Sequence, residues 1–269
     1  MTSSKKPLVC ASLLRIVSLV PSITEALCML GLEESICGIT DYCLHPASVV
    51  SSKRRIGGTK NPRLSEIIEL RPDLVIVNTD ENRLQTHDAL IAAGLNVLVT
   101  QTDCLDEVEA VWMRLHEATE AATRAQEYRD RIAAARDRNR RLLRGIRPLP
   151  TLIPVWRDPW IVSGSGTYME SLLAECGFRN IMASAEKKWI RVSLQGTPAA
   201  GTIALPEQAE VVLLPSEPYF FGEEDRLTFS GSSCANIRPV DGVLLSWWLS
   251  RTELALEHFR LLRNGFNSP

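Results

Sequence analysis

The stretch Arg15–Gly31, RIVSLVPSITEALCMLG, decides the fold. Arg15–Val20 contains a short apolar run of the kind that forms a strand buried on both faces. Pro21 presets the first helical turn, Ser22–Leu30 has a helical pattern, and Gly31 supplies a stop. Ser22 with Glu25 three residues on reads as a capping box. A strand leading directly into a helix is one β/α unit, and Ser35–Ile39 reads as the strand of the next.

Downstream the rhythm repeats. Leu64–Leu70 reads as a helical turn stopped by Pro72, and Asp73–Val77 as a nearly all-apolar buried strand. Arg83–Ala93 reads as a helix and Asn96–Thr100 as a strand, which makes the first hundred residues a small doubly wound parallel sheet. Between Asp103 and Gly145 there is neither Pro nor Gly, and helix formers dominate, with pairs such as Glu127/Arg131 at i,i+4. This is one long helix or two abutting ones, stiff enough to join two lobes. After Gly145 and Pro148 a second alternation begins, with strands Thr151–Val155 and Val211–Leu214 and helices Thr167–Cys176 and Ser250–Arg263. The expected class is α/β, two doubly wound lobes joined by a long backbone helix. The expected division is 1–103, 104–147 and 148–269.

Composition narrows the function. With 45% hydrophobic and 23% charged residues over 269 positions, the chain is an ordinary globular protein, long enough for two cores. A net charge of -2 offers no field for a polyanion, so nucleic acid is not an expected partner. No stretch reaches the length of a membrane span, so membrane insertion is not expected either. Seven cysteines without a CxxC pair read as reduced thiols. Lys5, Lys6 and the apolar run from Pro7 to Leu14 imitate an export signal, but Arg15 breaks the run and no small-x-small site follows. The expected location is the cytoplasm, with the periplasm as the alternative.

At this point the ordered motifs resemble the helical-backbone, or class III, periplasmic-binding-protein-like family, the cobalamin and iron-chelate substrate-binding proteins of ABC importers. RIVSLVPSITEALCMLG is similar to that group's first strand and helix and IGGTKNP to the following loop. LSEIIELRPDLVIV resembles its strand entry, and SGSGTYMESLLAECGFRNI the helix opening its second lobe. The likeness runs from about Arg15 to Arg263. It is nearest a signal-less branch with phrases such as Thr40–Pro46, Asp80-Glu81-Asn82, Ser216–Tyr219 and Asp241-Gly242 before Ser246-Trp247-Trp248. The resemblance implies a ligand cleft between the lobes, a cobalamin or iron chelate as ligand, no required cofactor, and an ABC importer as partner. Importer docking in that group uses a glutamate directly after the Leu of the segment before PDLV; here that position is Ser65, followed by Glu66.

Candidate ligand contacts lie in loops after predicted strands, where open α/β sheets hold their ligands. Tyr42 offers a ring. His45 offers an imidazole for a metal ion or a corrinoid cobalt, or a cap for backbone carbonyls, with Cys43 beside it. Lys60, after Gly57-Gly58-Thr59, is a cation on a flexible turn. Glu81 and Asn82 follow the buried strand, and Asp80 or Asn82 doubles as a helix cap. Trp156, Trp160, Trp189, Trp247 and Trp248 are five of the six tryptophans, all in the second lobe, and suit a wall for a flat or greasy ligand or a packed core. Glu217 and Tyr219 are expected to face Arg251, which the resemblance assigns to the ligand. Ser163–Thr167 reads as a helix cap that also offers N–H groups to an anion; it is no P-loop, since no Lys follows.

No G-x-S-x-G, HExxH or CxxC motif is present, so an enzyme is not expected. The leading expectation is a substrate-binding protein for a cobalamin-like or other metal-chelate ligand. The alternatives are a divalent-metal chaperone or storage protein using Cys43, His45 and Glu81, and a structural α/β protein whose tryptophans are core.

Overall fold

A computed structural model describes residues 14–119, 122–194, 200–205, 208–230 and 236–266. The signal-like residues 1–13 lie outside them, as do Cys10 and Cys234. The chain forms two compact units, Met1–Thr100 and Gln101–Pro269.

In the first unit the strands are β1 (Ile16–Ser18), β2 (Ile36–Ile39), β3 (Arg54–Arg55), β4 (Leu74–Asn78) and β5 (Val97–Thr100). They lie side by side, all parallel, in the order β3-β2-β1-β4-β5. The connecting helices are α1 (Pro21–Met29), α2 (Ala47–Val50), α3 (Leu64–Glu69) and α4 (Leu84–Ala92). The order runs outward from β1 in both directions, so the switch point lies between β1 and β4, and the loops at their carboxyl ends diverge there. Val17, Leu19, Ile56, Ile67, Val75, Val77 and Leu90 form the core. Each such side chain contributes roughly 1.5–3 kcal/mol by leaving water. The expected capping box is not made: α1 starts one residue earlier, with Val20 at the N-cap and no side-chain cap. The helix still ends as expected, at Gly31 with φ 79°.

The second unit opens with α5 (Glu107–Thr119) and α6 (Ala122–Leu142), so the Gly- and Pro-free stretch is two helices. They run antiparallel: the Trp112 and Tyr128 rings stack at 5.1 Å and Arg136 bonds Asp106 at 2.5 Å. α6 alone, 21 residues, is about 32 Å long. The strands that follow are β6 (Leu149–Leu152), β7 (Pro154–Trp156), β8 (Ile161–Ser163), β9 (Phe178–Asn180), β10 (Trp189–Ser193), β11 (Ile203–Ala204), β12 (Val211–Pro215) and β13 (Asn236–Val240). The parallel sheet β13-β12-β6-β9 is the expected second alternation; the mixed sheet β11-β10-β8-β7, with antiparallel pairs at β8, is an addition that the sequence reading lacks. Helices α7 (Tyr168–Glu175), α8 (Glu223–Ser230), α9 (Gly242–Ser246) and α10 (Thr252–Gly265) complete the unit. Leu152, Val162, Ile190, Val212, Leu214 and Phe229 anchor its core. Among the described residues, no helix is long and apolar enough to cross a membrane.

Candidate functional site

The carboxyl edge of the first sheet is built from three loops. After β4, the Asn78 side-chain oxygen accepts from the Asp80 and Glu81 amides at 2.9 and 3.1 Å, so Asn78, not Asp80 or Asn82, organises the turn before α4. Asn82 is 7% exposed and its carboxamide is engaged inside the protein. Its oxygen accepts from the Asn78 amide at 2.8 Å, and its nitrogen donates to the Leu19 carbonyl at 3.2 Å and the Thr59 carbonyl at 2.9 Å. The structure thus ties Asn82 to three backbone segments where the sequence reading placed it on a ligand. Lys60 crosses from the Gly57–Asn61 turn and donates to the Asp80 carbonyl at 2.6 Å. A cavity of about 190 Å³ opens beside this edge, walled mainly by Val77, Val99, Leu84, Arg83 and His87.

The loop after β2 carries Tyr42, which is 62% exposed with its ring edge against Gly58, and the half-buried His45. Arg55 holds this loop: its Nη1 donates to the carbonyls of Thr40 and Cys43 at 2.8 and 2.9 Å and to that of Asp41 at 3.3 Å. Cys43 points inward. It is fully buried, its Sγ lies 3.1 Å from both the Thr24 and Thr40 hydroxyls, and burial pushes its thiol up. A neutral thiol enclosed by hydroxyls is a poor metal ligand. Among the described residues, no three His, Cys, Asp or Glu side chains converge as a metal site, so Cys43, His45 and Glu81 do not form the expected set. Glu66, one step past Ser65, is held by Arg54 at 2.8 Å and by Arg63, and these guanidiniums keep its carboxyl below the usual range.

In the second unit the loops after β7, β12 and β13 meet. Trp156 ends β7 at 44% exposure and meets Tyr219 edge-on at 5.4 Å. Tyr219 touches Phe221 at 4.9 Å, and Phe221 stacks on Trp160 at 5.9 Å, which packs on Phe229. This row of rings passes from the surface into the core: Trp156 and Tyr219 are its open end, and Trp160 belongs to the packed end. Glu217 accepts from the Trp247 indole N–H at 3.2 Å, and Arg251 lies over the same indole at 5.9 Å, so Trp247 joins the two residues expected to face each other. Trp248, expected to stack on ligand, is only 6% exposed. Trp189, at 45% exposure, opens β10 and pairs with Ser163 on β8. Ser163–Thr167 acts as a cap: the Thr167 hydroxyl accepts from the Glu170 amide at 3.2 Å.

Sequence reasoning missed Asn78, Arg55 and Phe220. Asn78 ends an apolar strand and looks like its polar margin, while Arg55 sits in a surface-like Lys-Arg-Arg run. Phe220, 75% exposed beside Tyr219, had a signal in the Tyr-Phe-Phe run that was left unused.

Doubly wound parallel sheets with polar and aromatic side chains gathered on carboxyl-edge loops define a protein of the ligand-binding α/β class. A model of the periplasmic binding protein family matches residues 16–196, and the chain belongs to that family. Among curated relatives, the vitamin B12-binding protein of Yersinia pestis is 24% identical over 183 residues, 66% of this chain and 64% of that protein, so the match spans under two thirds of the relative's length. Among solved structures, the periplasmic vitamin B12 binding protein BtuF of Vibrio cholerae superposes with a TM-score of 0.77 at 20% identity, covering 95% of this chain and 98% of the other. The periplasmic heme-binding protein RhuT from Roseiflexus sp. RS-1 gives 0.75 at 23% identity, covering 92% and 97%. These likenesses establish the fold.

Proposed function

We propose that this chain is a substrate-binding protein that takes a cobalamin-like or other metal-chelate ligand, heme included, and releases it unchanged. The observation that carries this reading is the open end of the aromatic row, Trp156 with Tyr219, set beside the Glu217–Trp247–Arg251 group at the carboxyl edge of the second unit. Exposed rings offer stacking area to a macrocycle, and a carboxylate and a guanidinium next to them match its polar rim. On the first unit Tyr42, Lys60 and Glu81 stand at the corresponding edge. The relatives' ligands agree with this chemistry.

The relatives named as periplasmic favour that location over the cytoplasm. Partnership with an ABC importer is proposed on the fold likeness, which extends to an ABC transporter substrate-binding protein from Listeria monocytogenes EGD-e. Docking through Glu66 requires it to exchange Arg54 and Arg63 for a partner's cations. The bare-metal alternative is not supported, given the buried Cys43 thiol.

The experiment is equilibrium dialysis of the purified, metal-stripped protein against cyanocobalamin, hemin, ferric siderophores and divalent ions. Retention of one chelate at one per chain, with its absorbance band perturbed, is the expected result. Retention of bare ions alone overturns the proposal.

A further inference from the structure

The geometry points to two positioning residues, Asn82 and Arg55, that hold the ligand edge of the first unit in place before any ligand arrives. The inference rests on the reading above for what that edge binds, but the clamp itself stands on distances.

Each loop on this edge is short and leaves backbone groups without partners in the sheet. Asn82 satisfies three of them at once: the Asn78 amide and the carbonyls of Leu19 and Thr59. These belong to the end of β4, to the β1–α1 junction and to the turn carrying Lys60, so one carboxamide sets the spacing of the segments flanking the switch point. Both N–H groups and the oxygen are used and the side chain is 7% exposed, so Asn82 borders the cavity at this edge with its polar atoms already engaged by the backbone, which gives it a positioning role. Arg55 does the same for the Tyr42 loop, offering donors to Thr40, Asp41 and Cys43 carbonyls. Neither interaction lies in a β-ladder or helix, so sheet and helix packing do not replace them. An edge fixed in advance costs less ordering on binding.

Asn82→Asp is the sharpest test because it is isosteric. Ionised, it turns two donors into acceptors facing the Leu19 and Thr59 carbonyls; protonated, it regains one donor. Lys60, Asp80, Glu81, Arg83 and His87 are the charged and titratable groups on the elements packed there, and the comparison with wild type separates His87 from the new carboxyl. Two readouts are needed. Without ligand, amide hydrogen exchange at Asp80 and Glu81, held by Asn78 in the turn that Asn82 anchors, is expected to quicken about tenfold in Asn82→Asp at pH 8 as the lost donors to Leu19 and Thr59 loosen that turn, while the Asn78 amide keeps an acceptor. With cyanocobalamin or hemin as probe, affinity is expected to fall about tenfold at pH 8 and to recover partly toward pH 5 in the variant, relative to wild type. Arg55→Met keeps much of the length but removes the Nη1 donor, and is expected to weaken the probe by a similar factor; it serves if Asn82→Asp does not fold. Unchanged exchange and unchanged affinity in the variants overturn the clamp. Wild type that binds neither probe overturns the ligand reading instead, while the exchange result still decides the clamp.

Discussion

Trp156 and Trp248 carry the same side chain into opposite surroundings, 44% and 6% exposed. Trp248→Ala therefore leaves a cavity in the second unit and is expected to cost about 3–5 kcal/mol, read as a large fall in melting temperature. Trp156→Ala is expected to cost under about 0.5 kcal/mol, as surface changes do, and to show its effect on ligand binding. The cysteines make a second prediction. Burial, with Glu33 nearby, pushes the Cys28 thiol from 9.0 to about 11. Its folded pKa is raised, so its stabilising contribution is complete below the unfolded value and is lost as pH climbs from about 9 toward 11. Denaturant midpoints are expected to fall in that window and to fall less in Cys28→Ala. At pH 8 only about a thousandth of Cys28 is thiolate, so alkylation there should lag far behind a free thiol. Labelling as fast as free cysteine contradicts the half-buried setting of Cys28.

At the scale of elements, two close approaches carry the second unit's edge. A Cβ on Gly242 would stand 2.2 Å from the Glu217 amide nitrogen, and one on Gly164 would stand 2.0 Å from the Lys187 carbonyl oxygen. Gly242→Ala is thus expected to displace the Ser216–Tyr219 loop, lowering both stability and probe affinity, whereas Gly265→Ala, with open space around it and no left-handed φ, leaves both nearly unchanged. Parallel thermal melts and titrations check this; equal behaviour of the two variants contradicts it. Thr167→Ala is expected to cost about 1 kcal/mol through loss of the α7 cap, with Thr167→Ser restoring it. These elements also show what was legible in the sequence. Continuous apolar runs such as Leu74–Val77, and stops such as Gly31, are local signals, and β1, β2, β4, β5, α1, α3 and α4 lie within a residue or two of where those signals place them, whereas the short α2 and β3 were not read from the sequence. The reversal between α5 and α6 has no Gly or Pro to mark it, since Trp112–Tyr128 stacking and ion pairs along the hairpin make it favourable. The loops of the site were legible as places; Glu217 and Arg251, expected to face each other, both reach Trp247, one by accepting from its indole N–H and the other over its ring. Which side chains face outward was not, because Trp248, Asn82 and Cys43 are turned inward by contacts with residues far away in sequence.

At the scale of the whole molecule, each unit carries a parallel sheet whose carboxyl edge gathers functional side chains, backbone-holding polar groups in the first and a row of rings in the second. The proposed function rests on the exposed rings of the second unit binding a metal chelate. The measurement that tests it most directly is tryptophan fluorescence titration with cyanocobalamin and hemin, corrected for inner-filter absorption, on wild type, Trp156→Ala and Arg251→Ala. The account predicts saturable quenching by one chelate in wild type, weakened about tenfold or more in both variants while their melting temperatures hold, a loss of roughly 1.4 kcal/mol. Quenching that persists unchanged in both variants, or a response to bare divalent ions alone, contradicts it.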